Sequence, residues 1–166
     1  MRIFTIVLAV ALFSITSFAQ DWHKMSESEL KAVVPATAPV ITENIETEFR
    51  TAAGISNGKT SIFGVVIITA GYEADGKYTH FLKTDARLRV GDLDLNSGDY
   101  IFGYQRLDQQ TLRVTFYKAR DGKLVGAIKA EVEKAKGPIY SFLITPPTNM
   151  AGKVYIGRFS FNYTIR

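Results

Sequence analysis

The residues best suited to bind a metal ion are the carboxylates of the acidic segment between Asp92 and Asp99, which reads DLDLNSGD. They place oxygen atoms at alternate positions, as calcium-binding loops do. The segment departs from an EF-hand loop, because Gly98 falls one position late and the twelfth position is Gly103 instead of glutamate. Its two leucines are typical of strand residues that face a core. A polar turn between strands is therefore the interpretation we favour, with a calcium loop as the alternative.

His80 is the histidine of the predicted β region, and its type is the one most often used for acid–base catalysis near neutral pH. A general base needs a nucleophile within reach and a group that orients it, which Thr79, Thr84 and Asp85 would supply. The sequence has no nucleophile-elbow motif and no His-x-x-x-His pair, and His23 lies close to the start of the mature chain. A surface histidine, or one satisfied within the core, is the simpler interpretation.

An aromatic row offers a third kind of chemistry, since Tyr100, Phe102 and Tyr104 share one parity and Arg106 follows them. If exposed, such a row would stack on the sugars of a polysaccharide or line a cavity for a small apolar ligand. If buried, it is part of the core, which is where large aromatic side chains usually lie. Three arginines, Arg87, Arg89 and Arg113, form either a basic stripe for anionic polymers or an ordinary solvated strand face.

The sheet that positions these residues is predicted to be built around the segment 98–132. In this segment two short polar turns join three strand-like runs. In the second run Leu112, Val114 and Phe116 alternate with polar residues, and a period of two places one set on a core face. The turns are too short to join anything but antiparallel neighbours, and the second contains an Asp-Gly pair suited to positive φ. The segment therefore predicts an antiparallel meander whose register follows from its own alternation.

The residues Leu95, Gly98 and Tyr100 form a Leu-x-x-Gly-x-Tyr turn that leads into a strand. This turn resembles one found in small exported bacterial β-sandwich proteins of unknown function. The segments 113–126 and 157–159 are similar to the same group, so that the resemblance covers roughly the last half of the chain. It implies a sandwich fold and an exported bacterial origin, and it implies no activity and no functional residues.

The rest of the chain reads as further strands added to the meander. Residues 61–72 are apolar on both faces, which indicates a central strand. Residues 41–53 fit either a helix or a strand, and we choose a strand because Ile and Thr favour the pleat and the segment 56–59 is a hairpin turn. Other strand-like runs are 78–83, 86–90, 139–145 and a last aromatic run from Tyr155 to Ile165, with 93–95 as a short link. The sequence thus predicts an all-β fold, an antiparallel β-sandwich or partly closed barrel of about eight or nine strands.

The N-terminus predicts export. Residues 1–19 have the charged start, short apolar stretch and small-x-small end of a signal peptide, with cleavage before Gln20. Residues 20–40 form an N-terminal arm, in which Ser26 and Glu29 make a capping-box pattern for a short helix near 27–33. Residues 41–166 form a single β domain. We expect the mature protein in the periplasm or outside the cell.

Composition narrows the classes of function. The 166-residue chain has no cysteine, so thiol chemistry and cysteine-based metal sites are excluded. Its net charge of +4 comes from basic residues that are spread along the chain, which is not the footprint of a nucleic-acid binder. No stretch after the signal peptide reaches the roughly 18 apolar residues of a membrane helix.

The sequence therefore predicts an exported, non-catalytic β-domain protein with a binding or structural role and no catalytic, cofactor or metal-binding residues. One alternative is an enzyme on the same fold, with a site near His80 or at the turn between Asp92 and Asp99. A second is a small outer-membrane barrel, which the alternating aromatic C-terminal run would suit. Against that alternative, residues 61–72 are apolar on both faces and the chain ends in Arg166.

Overall fold

A computed structural model describes residues 21–69, 77–134 and 137–166. Every strand pair within these ranges is antiparallel, so the predicted all-β antiparallel fold is confirmed. The described residues form one helix and thirteen strands: β1 (His23–Lys24), α1 (Glu27–Val33), β2 (Thr37–Val40), β3 (Glu43–Ser56), β4 (Ser61–Ile67), β5 (His80–Thr84), β6 (Leu88–Val90), β7 (Leu93–Leu95), β8 (Gly98–Arg106), β9 (Thr111–Lys118), β10 (Leu124–Val132), β11 (Tyr140–Ile144), β12 (Ala151–Gly157) and β13 (Phe159–Ile165).

The strands belong to one sheet in the order β1-β3-β4-β5-β8-β9-β10-β13-β12-β11, with β2 on β3 and the β6–β7 hairpin attached to β13. The sheet curls until β11 packs against β3 and β4, so that it forms a nearly closed barrel. Side chains hold this seam, and the ring of Phe142 lies directly over Gly64 of β4. A Cβ at Gly64 would come within 2.5 Å of that ring, which explains why glycine occupies the position.

The predicted meander and the predicted strand at 41–53 are both confirmed. The meander is formed by β8, β9 and β10, joined at 107–110 and 119–123. The ambiguous segment is β3, and a tight turn with Gly58 at φ +81° connects it to β4. The predicted strand 61–72 is described as far as residue 69 and pairs as β4 between β3 and β5. Between this strand and the next the sequence predicts a turn at Ala74, Asp75 and Gly76, which lie outside the described residues.

The count of eight or nine strands was too low. The last aromatic run is two strands, because Gly157 adopts φ +61° and the chain folds back over Gly157 and Arg158, so that Ile156 pairs with Phe159. Glycine at the first position of a two-residue hairpin turn is typical of type II′. Tyr155 consequently does not share the buried face of β13, which Phe159, Phe161, Tyr163 and Ile165 occupy as predicted. The predicted strand 86–90 is β6, and the short strands β1, β2 and β7 make up the rest of the difference.

The sheet carries apolar residues on both faces over part of its width, and two clusters result. The inner cluster fills the barrel and includes Phe102, Phe116 and Phe161. The outer cluster lies on the opposite face of β3, β4, β5 and β8, beneath residues 21–40. This second cluster explains why β4 is apolar on both faces.

Residues 21–40 are tied to the sheet. The helix α1 confirms the predicted one, and its capping box is complete: the Glu29 N–H donates to Ser26 Oγ at 3.3 Å, and the Ser26 N–H donates to Glu29 Oε2 at 2.7 Å. On either side of the helix, β1 and β2 pair with β3. The predicted signal peptide and Gln20 lie outside the described residues. Among those that are described, no helix has the length and apolar character to cross a membrane.

Candidate functional site

The aromatic row of β8 runs from the core to one end of the barrel. Tyr100 and Phe102 are each 1% exposed, whereas Tyr104 is 37% exposed and Arg106 beyond it lies in solvent. The two predicted interpretations thus apply to different members of the row. The first two rings are core, and the third reaches the surface where it is able to contact a ligand.

Tyr104 and Arg106 border a cleft of about 620 Å³, which we call the open-end cleft. The Arg106 guanidinium lies 5.3 Å from the ring centroid of Phe159, a cation–π distance that orients it along the cleft wall. The polar lining consists of the hydroxyls of Thr51, Thr69, Thr79 and Ser141 with the guanidiniums of Arg106 and Arg158, and the apolar lining includes Val66, Ile139 and Ile156.

His80 lies in the wall of the open-end cleft but is only 3% exposed. Its ring stacks on Phe102 with centroids 4.7 Å apart and planes 9° from parallel, and Phe142 and Tyr104 contact it at wider angles. The Thr79 hydroxyl lies 2.8 Å from Nδ1. Burial lowers the pKa of His80 to about 4, and the nearby backbone of Ser141 opposes this only in part. At neutral pH the imidazole is therefore an uncharged member of an aromatic cluster.

Of the groups that would make His80 a catalytic base, Thr84 and Asp85 are engaged elsewhere, and Thr79, beside Nδ1, also donates its hydroxyl to the Phe102 carbonyl at 3.3 Å. Thr84 Oγ1 donates to the Ala86 carbonyl at 2.6 Å, and Asp85 accepts bonds from the backbone and hydroxyl of Ser61. Nε2 of His80 is buried and has no hydrogen-bond partner within the described parts of the chain. The structure thus places His80 in the cleft wall, and the described residues do not assemble a catalytic set around it.

The acidic segment between Asp92 and Asp99 is a turn and a short strand, as the favoured interpretation held. Asp94 accepts hydrogen bonds from Arg87 at 3.1 Å and from Arg89 at 3.3 Å. Burial alone would raise the pKa of Asp94, but the two guanidiniums outweigh it and hold that pKa below its ordinary value. Leu95 is fully buried. In the ranges that the structure describes, no group of three histidine, aspartate or glutamate side chains is placed to hold a metal ion.

Two of the three arginines of the predicted basic stripe are therefore paired with carboxylates, Arg87 with Asp94 and Arg89 with both Asp94 and Asp92, and Arg113 lies apart from them on β9. Sequence reasoning missed the cleft residues Thr51, Ser141 and Arg158. They come from β3, from β11 and from the turn between β12 and β13, and each resembles an ordinary polar residue in its own segment. Only closure of the barrel brings them beside Tyr104.

No protein-family model, curated protein or solved structure matches this chain. The resemblance to exported bacterial β-sandwich proteins therefore stays a prediction from the turn at Leu95, Gly98 and Tyr100.

Proposed function

We propose that the protein is an exported, non-catalytic binding protein that takes a segment of a polysaccharide in the open-end cleft. The observation that carries this proposal is the exposed ring of Tyr104 in a cleft of about 620 Å³ that also presents hydroxyls and two guanidiniums. The hydroxyls of Thr51 and Thr79 already donate to carbonyls of the protein, so the donors offered to a ligand are those of Thr69 and Ser141 and the two guanidiniums. An aromatic face next to such donors suits a sugar, which has one apolar ring face and a rim of hydroxyls.

A small apolar ligand, the other class expected from the aromatic row, fits the barrel less well. The space between Phe102, Phe116, Phe142 and Phe161 amounts to only about 10 Å³, so the interior is filled by its own side chains. An apolar ligand would need an enclosed pocket, whereas the open-end cleft is broad and partly polar.

The burial of His80 supports a role without catalysis, because its imidazole is stacked on Phe102 and the Thr79 hydroxyl beside it also donates to the Phe102 carbonyl. Among the described residues, no carboxylate forms a hydrogen bond or ion pair with it. The outward face of β9 and β10 carries Arg113, Lys129 and Glu131, all exposed. Such charges would be costly in a lipid bilayer, which favours a water-soluble protein over a membrane-embedded one. Export itself rests on the predicted signal peptide of residues 1–19.

The test is isothermal titration calorimetry of the mature protein against a panel of neutral and acidic oligosaccharides. We expect one class to bind saturably and Tyr104→Ala to weaken it about tenfold, which corresponds to about 1.4 kcal/mol. Tyr140→Ala is the matched control, because Tyr140 is equally exposed but does not line the open-end cleft. Equal effects of the two substitutions, or binding of none of the sugars, would contradict the proposal.

A further inference from the structure

The sheet separates between β10 and β13. These strands pair only at Glu131 with Ser160 and Val132 with Phe159, and just beyond this ladder the Glu133 N–H donates to the Arg158 carbonyl at 2.9 Å. Extended by two residues in the other direction, the ladder would pair Lys129 with Asn162. The two strands diverge instead, and between them lies a groove of about 990 Å³ lined by residues of both. We call it the β10–β13 groove.

Both sides of this groove are strand edges with unpaired backbone. Val132 donates its N–H to Gln110, so residues of its parity bond towards β9, and the alternate residues Ala127 and Lys129 direct their N–H and C=O groups into the groove. By the same alternation Asn162 of β13 faces the groove, as Ser160 does. Within the described ranges, no strand pairs with Ala127, Lys129 or Asn162 on this side.

The β6–β7 hairpin keeps the two strands apart at the far end. Leu93 lies against Gly126, where a Cβ would come within 2.4 Å of the leucine side chain. Gly91 lies against Ile128, where a Cβ would come within 3.1 Å of the isoleucine side chain. The strands are therefore unable to close the groove by extending their own ladder unless this hairpin moves.

The groove also has two neighbouring positive charges, those of Arg113 and Lys129, at the part where β10 and β13 have separated. Arg113 and Lys129 are directly opposite each other in β9 and β10, in a pair of the type without hydrogen bonds, where side chains are closest. Like charges in this arrangement are destabilising. Both are exposed, and in the part of the chain that the structure describes neither has an ion-pair partner. The carboxylates of the groove lie away from this pair or are bound by other cations. Asp92, at the hairpin end, is paired with Arg89 at 3.7 Å, Glu131 is two residues along from Lys129, and Glu133 is bound by Lys153 at 2.5 Å.

We propose that the β10–β13 groove binds an extended acidic peptide segment of a partner protein as an added strand. The peptide backbone would bond to the free edges of β10 and β13, which is how strand addition provides affinity. A carboxylate on the peptide would neutralise the Arg113–Lys129 pair and so remove a repulsion that the free protein carries. This site is separate from the open-end cleft, and the proposal does not depend on the function proposed there.

The probe is a fluorescently labelled ten-residue peptide of alternating Thr and Glu, blocked at both ends, titrated with the mature protein and followed by fluorescence anisotropy. Binding should be saturable, and the double substitution Arg113→Glu with Lys129→Glu should weaken it at least tenfold. The control exchanges Lys59 and Arg120 for Glu, because both are exposed and lie outside the groove and the charge change is the same. Unaltered far-UV circular dichroism would show that each variant is folded.

Two further peptides test separately whether binding needs the negative charge of the peptide and whether it needs the peptide's backbone hydrogen bonds. Replacing every Glu by Gln should abolish most of the binding, and N-methylation of alternate backbone amides should do so while leaving the charge intact. Equal binding of the Gln peptide, retained binding of the N-methylated peptide, or no saturable binding of the acidic peptide would overturn the proposal. Concentration-dependent dimerisation that Lys129→Glu abolishes would identify a second copy of this chain as the occupant and would overturn it as well.

Discussion

The outer surface of the barrel has two halves built from the same alternation and different in chemistry. On β4, β5 and β8 the outward residues are apolar and buried, as Phe63, Phe81 and Ile101 show. On β9 and β10 the outward residues include charged, exposed side chains, as Arg113 and Lys129 show. The inward residues of both halves belong to one aromatic core.

The difference follows from what covers each half. Residues 21–40 lie over the first half, where Met25, Leu30 and Val40 bury the outer cluster and the Met25 N–H donates to the Gly54 carbonyl at 2.9 Å. Nothing in the described ranges covers Arg113, Lys129 and Glu131 of the second half, which are charged and face water. The outward face of a strand is thus apolar where residues 21–40 of the same chain pack over it.

The largest effect is expected from removing residues 21–40, the segment that covers the first half. A chain that begins at Ile41 would lose Met25, Leu30 and Val40, each worth about 1.5–3 kcal/mol when buried, and would expose Phe63 and its neighbours. The expected loss is comparable with the whole stability of a domain, about 5–15 kcal/mol. Soluble yield and cooperative thermal unfolding measure it. A shortened chain that still unfolds cooperatively would show that the cover is dispensable.

Single substitutions compare the halves directly. Phe63→Ala removes a fully buried ring from the covered half and should lower the free energy of unfolding by about 3–5 kcal/mol. Lys129→Ala, at an outward position of the bare half, should change it by less than about 0.5 kcal/mol. Urea denaturation of both variants gives the two values. Similar losses would mean that the bare half is covered in the folded protein.

The pH dependence of the stability tests the burial of His80 in the barrel interior, which both halves share. Unfolded, His80 takes up a proton near its ordinary pKa of 6.5, whereas folded it does so only near 4, so the unfolded state binds more protons between these values. Stability should therefore fall as the pH drops from 6.5 to 4, by about 3 kcal/mol from this residue.

The substitution His80→Phe keeps an aromatic ring on Phe102 and should remove this part of the pH dependence. The control is Phe116→Leu, which alters the neighbouring aromatic packing around Phe102 without removing a titratable group and should leave the dependence as it is. The measurement is the free energy of unfolding in urea at several pH values. If His80→Phe and the parent chain lose stability in parallel below pH 6.5, His80 is not buried as described.

The smallest loss of stability is expected from removing the N-cap of α1, the helix within residues 21–40. Ser26→Ala removes the capping oxygen of α1 and should cost about 1 kcal/mol. Ser97→Ala, at an exposed serine away from the helix, should cost far less. Thermal unfolding of the two variants compares them. Equal melting temperatures would show that α1 contributes little to holding residues 21–40 on the sheet.

Local pattern determined much of the fold. The alternation in the meander, the turn chemistry at Gly58 and the capping box at Ser26 are interactions between near neighbours, and all appear in the structure as the sequence predicts. The same locality explains the error at the last run, where Gly157 reads as one more small strand residue until its φ of +61° is known.

Tertiary structure decided which of the candidate residues are buried and which side chains they contact. The sequence left open whether Tyr100, Phe102 and Tyr104 are core or surface, and curvature of the sheet buried the first two and exposed the third. It equally left His80 between base and core residue, and the decision came from Phe102 and Phe142, rings supplied by distant strands. Parity assigns a side chain to a face of a strand, but only the packing of distant strands fixes whether that face meets water, a cover or the barrel interior.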